Sequence, residues 1–125
     1  MLERNIVNGI ELYTIGNQAL KDYRDGAKKD KNISRDILER KLTGLILNCF
    51  EKKRIVENKY MCRFGTFVMV VNEFTRMIET ILWDTDNHTS RPVPKYKWQN
   101  LINTYKQLGL NKSGNRLLEL EKVEC

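Results

Sequence analysis

Apolar residues recur at three- and four-residue intervals along most of this chain, and that spacing predicts helices. Residues 3–24 place Ile6, Ile10, Tyr13, Leu20 and Tyr23 at roughly helical spacing. Gly9 and Gly16 each weaken that helix by about 1 kcal/mol relative to Ala. A polar, turn-rich loop follows, "RDGAKKDKNIS" at 24–34. Ser34 is a suitable N-cap for a second helix, with Asp36 in its positive first turn. Ile37, Leu38, Leu42, Leu45, Ile46, Cys49 and Phe50 form its stripe, and "EKKR" at 51–54 closes it.

Asn58 can cap a third and longest helix over about 59–83. Phe64, Phe67, Val68, Val71, Ile78 and Leu82 line one face of it, widened by Phe74 and Ile81, with Arg63, Glu73, Arg76 and Glu79 opposite. A stripe that wide predicts burial on more than one side. After a turn-forming connection at 84–94, Pro94 opens a fourth helix carrying Trp98, Leu101, Ile102, Tyr105 and Leu108, and Gly109 is its left-handed stop. No useful alternation with period two stands out. The expectation is an all-α fold of about four helices. A long central helix forms a helical hairpin with the fourth, and a short C-terminal helical segment follows. Residues 1–35 would be an N-terminal helix and basic loop, and 36–125 a helical core and oligomerisation region.

Composition changes the picture through charge. The chain has 125 residues and a net charge of +6. Residues 21–63 hold thirteen Lys/Arg against seven Asp/Glu, and 91–116 hold six Lys/Arg and no acid. Two basic blocks make a polyanionic partner a reasonable expectation, against the plainer reading of a solvated lysine-rich surface. Cys49, Cys62 and Cys125 are an odd number without CxxC spacing, expected as two reduced core thiols and one at a terminus, which fits a cytoplasmic compartment. The longest apolar run, "FVMVV" at 67–71, is too short to span a bilayer, and no signal peptide is visible, so the chain is expected to be soluble.

Candidate chemistry is sparse. Asp84, Asp86 and His88 in "WDTDNH" could hold a divalent ion, but Thr89 and Lys95 stand where a calcium loop needs glycine and glutamate. Turn-forming hydrogen bonds account for these residues equally simply. A Cys62/His88 nucleophile pair can be drawn, but a core thiol explains Cys62 better. No P-loop, GxSxG or HExxH is present, so no enzyme, metal or cofactor is expected. Tyr60, Tyr96, Trp98 and Tyr105 lie among cations and could stack on unpaired bases, although Trp98 and Tyr105 fall on the apolar stripe and read first as core. Lys95, Lys97, Lys106, Lys112 and Arg116 are further candidate phosphate contacts.

The stretches "EKKRIVENKYMCRFGTFVMVVNEFTRMIETI" and "KYKWQNLINTYKQLGLNKSGNRLLEL" resemble the small subunits of tailed-phage terminases, the P27-type group. Gly109, Leu110, Asn111, Lys112, Ser113, Asn115, Arg116 and Leu117 carry the ending, while the usual proline is absent and Gly114 stands where arginine is common. The resemblance covers about residues 38–120. It implies a helical, non-enzymatic ring, a homo-oligomer that binds double-stranded viral DNA in the infected bacterial cytoplasm. That ring would present the DNA to the terminase large subunit, which holds the ATPase and nuclease.

DNA contacts are then expected from Lys28, Lys29, Lys31, Arg35, Lys52, Lys53 and Arg54. Oligomerisation is expected from Phe64, Phe67, Val71, Phe74 and Arg116. For Lys52, Lys53 and Arg54 a helix-end role competes with the DNA role. The alternative function is a phage-encoded helical protein-binding module, an inhibitor or adaptor of a host factor, whose basic surface meets an acidic protein.

Overall fold

A computed structural model of the chain describes residues 6–26, 33–49, 51–65, 67–83, 93–114 and 117. Its elements run β1 (Ile6–Val7), β2 (Ile10–Glu11), β3 (Thr14–Ile15), α1 (Asn17–Gly26), α2 (Arg35–Leu47), β4 (Glu51–Val56), β5 (Lys59–Phe64), β6 (Phe67–Asn72), β7 (Met77–Trp83) and α3 (Lys95–Gln107). The fold is therefore mixed α/β, and the expected all-α bundle is corrected. β1 and β2 form a small antiparallel pair, and five strands form one sheet in the order β3-β7-β6-β5-β4.

The largest correction is the long helix expected over 59–83, which is three antiparallel strands. Tyr60, Cys62 and Phe64 pair with Val71, Met69 and Phe67, and Val71 and Met69 pair in turn with Ile78 and Ile81. Opposed residues share a face, so these side chains make one apolar surface. Cys62, Phe64, Phe67, Met69, Val71, Ile78 and Ile81 are all buried there. The turns are marked by backbone that L-residues seldom adopt: Asn58 (φ 67°) lies between β4 and β5, and Gly65 (φ 63°) follows β5. Two-residue hairpin turns need such positive φ values, which Asn and Gly tolerate. Asn58 is thus a turn residue, not a helix cap.

"EKKRIV" is likewise a strand and not a helix end. Among the described residues β4 pairs with β5 alone, and all six of its residues are exposed, so it is an open edge of the described sheet. Its cations discourage the edge from pairing with further strands. The opposite edge is closed. β3 runs parallel to β7, giving the Thr14 and Gly16 amides to the Arg76 and Ile78 carbonyls. The outward amides of Tyr13 and Ile15 find Thr43 Oγ1 (2.9 Å) and Glu39 Oε2 (2.8 Å) on α2. That pairing explains two polar side chains in the core, since a buried amide without a partner is costly.

Residues 6–15 of the expected first helix are strands and turns, with Asn8 and Gly9 at positive φ, and α1 starts only at Asn17. α1 packs on β7. The second and fourth expected helices form. Ser34 Oγ caps α2 by accepting the Ile37 amide, and Gly109 follows α3 at φ 77°. α2 and α3 meet at Gly44, where an added Cβ would lie 2.9 Å from the Tyr105 ring. Leu38, Leu42, Leu101, Tyr105, Leu108 and Leu110 complete the core.

The turn after α3 is fixed by glycine. Gly114 has φ 75°, and a Cβ there would meet the Tyr105 ring at 2.8 Å. The arginine common at this place in the resembled family does not fit here. A bridge between Leu110 and Leu117 closes the turn.

Candidate nucleic-acid interface

Lys52 and Arg54 alternate along β4 and oppose Cys62 and Tyr60, so they sit on the helix-bearing face at the edge the helices leave open. Lys53 opposes Met61 on the other face. The Lys52 ammonium lies 4.9 Å from the centre of the Tyr60 ring and 2.8 Å from Glu73 Oε1.

Glu73 joins this edge to the start of β3. Its Oε2 accepts the Tyr13 hydroxyl at 2.8 Å, and the Arg76 guanidinium covers the Tyr13 ring at 4.1 Å. Arg76 in turn donates to the Glu11 carbonyl at 2.7 Å. Burial by itself would raise the Glu73 carboxyl, but hydrogen bonds from Lys52 and Tyr13 outweigh it and hold the group below the ordinary carboxylate range. Burial, reinforced by the Glu73 hydrogen bond, pushes the Tyr13 phenol well up, so it remains a donor. The hydrogen bond to Glu73 raises Lys52, which stays cationic.

α3 brings the second group of residues. Its first turn, Lys95-Tyr96-Lys97-Trp98, contains no acid, and Pro94 supplies no side-chain cap. Trp98 packs edge-on against Phe64, ring centres 5.0 Å apart, yet stays 49% exposed; Tyr96 is 62% exposed. Lys97 Nζ reaches the Cys49 carbonyl at 3.5 Å. The start of α3 and the start of β4 therefore flank Cys49.

Cys49 follows Asn48, the C-cap of α2, and is half-buried, whereas Cys62 is fully buried in β5. Both are free thiols. The Cys62 thiol, then the Lys52 and Lys97 cations, lower the Cys49 thiol against its burial, while the Cys49 thiol and burial raise Cys62.

Compared with protein-family models, curated proteins and solved structures, the chain matches none of them.

The structure distributes the expected DNA contacts unevenly. Lys52, Lys53 and Arg54 stand together on β4. Arg35 is at the start of α2, where it bonds the Ile15 carbonyl and lies 3.7 Å from Glu39, away from that strand. Lys28, Lys29 and Lys31 lie outside the described residues, as do Asp84, Asp86, His88, Arg116 and Cys125. Of the expected oligomerisation residues, Phe64, Phe67 and Val71 belong to the chain's own core, while Phe74 is 75% exposed in the β6–β7 turn. Lys106 and Lys112 line a different pocket, between α3 and the turn after it, with Gln99, Asn103 and Ser113.

From the sequence Tyr60, Tyr96 and Trp98 are candidate stacking residues and Lys97 a candidate phosphate contact, but nothing there groups them with the β4 cations, and Cys49 reads as a core thiol. The "KYKW" run was the available signal. Helical spacing assigned Trp98 to the core, but it lies one turn before the contact between α2 and α3 at Leu101 and Tyr105.

Proposed function

We propose that this chain binds single-stranded nucleic acid across the start of α3 and the β4 edge, without chemistry of its own. The observation that carries the reading is the exposure of Tyr96 and Trp98 beside Lys95 and Lys97, with Lys97 reaching the Cys49 carbonyl just before the β4 edge that carries Lys52 and Arg54. A ring with an accessible face stacks on a base, and flanking cations neutralise the adjoining phosphates. The N-terminal end of α3, with no acid in its first turn, adds backbone N–H groups and a partial positive charge suited to a phosphate. Double-stranded DNA keeps its bases stacked inside, so exposed aromatics favour an unpaired strand.

The packaging-initiation role enters this proposal only through nucleic-acid binding. The helix, hinge and long helix that suggested it are the end of α2 and the strands β4 to β7. A protein-binding role has one supporting observation. The Glu73 amide donates to the Asn58 carbonyl at 2.7 Å, which ties the β4–β5 tip to the β6–β7 turn, where Ile55, Val56 and Phe74 are exposed.

Fluorescence anisotropy with labelled single- and double-stranded oligonucleotides, over a range of salt, tests the proposal. It expects tighter binding to the single strand and affinity that falls steeply as salt rises. Equal or stronger duplex binding contradicts the single-strand reading. No binding to either at low salt contradicts both.

A further inference from the structure

We propose that the groove between α3 and the turn after it binds a nucleotide unit, with the base on its apolar lining and the phosphate on Lys106 and Lys112. The inference does not depend on strand binding at the start of α3, because it uses none of the residues of that surface. The groove has a volume of about 520 Å³, within the roughly 300–1,000 Å³ usual for small-ligand sites. One wall is α3, where Gln99, Asn103 and Lys106 follow at steps of four and three residues and so share a helix face. The other wall is the turn at 111–114, which contributes Lys112 and Ser113. Buried Leu110 and half-buried Ile102 supply the apolar part of the lining.

The turn is a fixed wall. The Gly114 amide donates to the Asn111 carbonyl at 3.0 Å, which places Lys112 at the second position of a closed turn. The Leu110 amide donates to the Tyr105 carbonyl at 2.8 Å, and Gly114 lies against the face of the same tyrosine. A wall held in this way is in place before a ligand arrives, so binding orders little of the chain.

The two lysines are not needed to finish the helix. A cation at a helix C-terminus ordinarily serves the last carbonyls. Here those carbonyls already have donors. The amides of Leu108, Gly109 and Leu110 donate to the carbonyls of Thr104, Lys106 and Tyr105. The Asn8 carboxamide donates to Gln107 at 2.6 Å, and the Arg40 guanidinium donates to Leu108 at 3.0 Å. No acid lines the groove, and among the described residues no carboxylate pairs with Lys106 or Lys112.

The chemistry of the lining selects the ligand class. Gln99 and Asn103 each carry a carboxamide donor and acceptor, joined to one another by a single long bond of 3.3 Å. A base edge that offers its own donor and acceptor replaces that bond. Ile102 and Leu110 cover part of the base, and the lysines neutralise the phosphate. An inorganic anion would leave the amides and the apolar lining unused, and an apolar ligand would leave the cations unused.

Titration of the whole isotope-labelled chain with adenosine monophosphate, followed through its amide chemical shifts, tests the proposal. Saturable shifts should appear at Gln99, Asn103, Lys106, Lys112 and Ser113. Adenosine and inorganic phosphate should each bind at least about tenfold more weakly than the nucleotide. Lys106→Gln and Lys112→Gln, at exposed positions that leave the core intact, should each weaken it by about two- to fivefold. Shifts confined to Tyr96, Trp98 and β4 overturn the proposal, as does the absence of saturable shifts. Inorganic phosphate that binds as tightly as the nucleotide, or lysine variants that bind it like wild type, overturn it equally. A single-stranded oligonucleotide added to the loaded chain identifies the source of the nucleotide. Displacement assigns the groove to a nucleotide of a bound strand, and simultaneous binding assigns it to a free one. A saturable nucleotide response without any oligonucleotide binding supports the groove and overturns the strand-binding surface.

Discussion

The Lys52 ammonium is held 2.8 Å from the Glu73 carboxylate, at the edge where a phosphate would have to approach. Glu73 therefore competes with the proposed ligand for that cation. Both side chains are partly exposed, so the pair is worth no more than about 1 kcal/mol. Glu73→Gln can still accept the Tyr13 hydroxyl while releasing Lys52. Oligonucleotide affinity at low salt should rise by about two- to fivefold in anisotropy titrations. An unchanged or weaker affinity places Lys52 outside the binding surface.

Trp98 and Tyr96 should contribute to binding without supporting the fold. Each is at least half exposed or nearly so, and alanine at either leaves Leu101, Tyr105 and Leu108 in place. Loss of one base stack costs about 1–3 kcal/mol of binding. Trp98→Ala and Tyr96→Ala should each weaken single-strand binding by that order and leave the salt dependence unaltered, because no phosphate contact is removed. Thermal unfolding should move little for Tyr96→Ala and modestly for Trp98→Ala, which gives up its contact with Phe64.

Gly44→Ala tests the joint between α2 and α3. Alanine has the better helix propensity by about 1 kcal/mol, but its Cβ would lie 2.9 Å from a buried tyrosine ring. That ring also packs against Gly114, so it has little room to retreat. Overpacking of this kind costs about 1–3 kcal/mol, and a net loss is expected in denaturant unfolding. A stabilised variant would mean that α3 is not seated on α2 as described.

Acid stability reports on Glu39. Burial raises its carboxyl, opposed by the Ile15 amide and then Arg35. A carboxyl whose folded pKa is raised stabilises the fold fully below its unfolded value, and that contribution is lost as pH rises through the folded value. Glu39→Gln keeps an acceptor for the Ile15 amide. It should flatten the fall in stability as pH rises above the ordinary carboxylate range, measured as the denaturation midpoint against pH. A variant with the same slope as wild type contradicts a buried, raised Glu39.

The parts of the fold legible in the sequence were those set by local chemistry. Ser34 marks the start of α2, and Gly109 marks the end of α3. The sheet was hidden by an ambiguity of spacing. Phe67 and Val71, or Ile78 and Leu82, are four apart, and four residues return a side chain to the same side of a helix. Four is also even, so a strand keeps its face over the same step, and the stripe fits either element. The short continuous apolar run at 67–71, bounded by Gly65 and the Asn72 turn, fits a strand as well as a helix and was the available signal. The helix-bearing face hides Phe64, Phe67 and Val71, which a helix would have shared with a neighbouring subunit.

The site was half legible. The β4 cations stood out as a charge run, but reading "EKKR" as a helix end concealed that they occupy an open strand edge. The union of β4 with the start of α3 around Cys49 depends on tertiary packing across about fifty residues of chain, which no local pattern records.

Photocrosslinking tests the central claim most directly. The full chain is irradiated with a single-stranded oligonucleotide at low salt, digested and mapped by mass spectrometry. The account predicts covalent attachment at Tyr96 or Trp98, with attachment lost at high salt. Attachment only in other segments, or none at all under conditions where the oligonucleotide is bound, contradicts it.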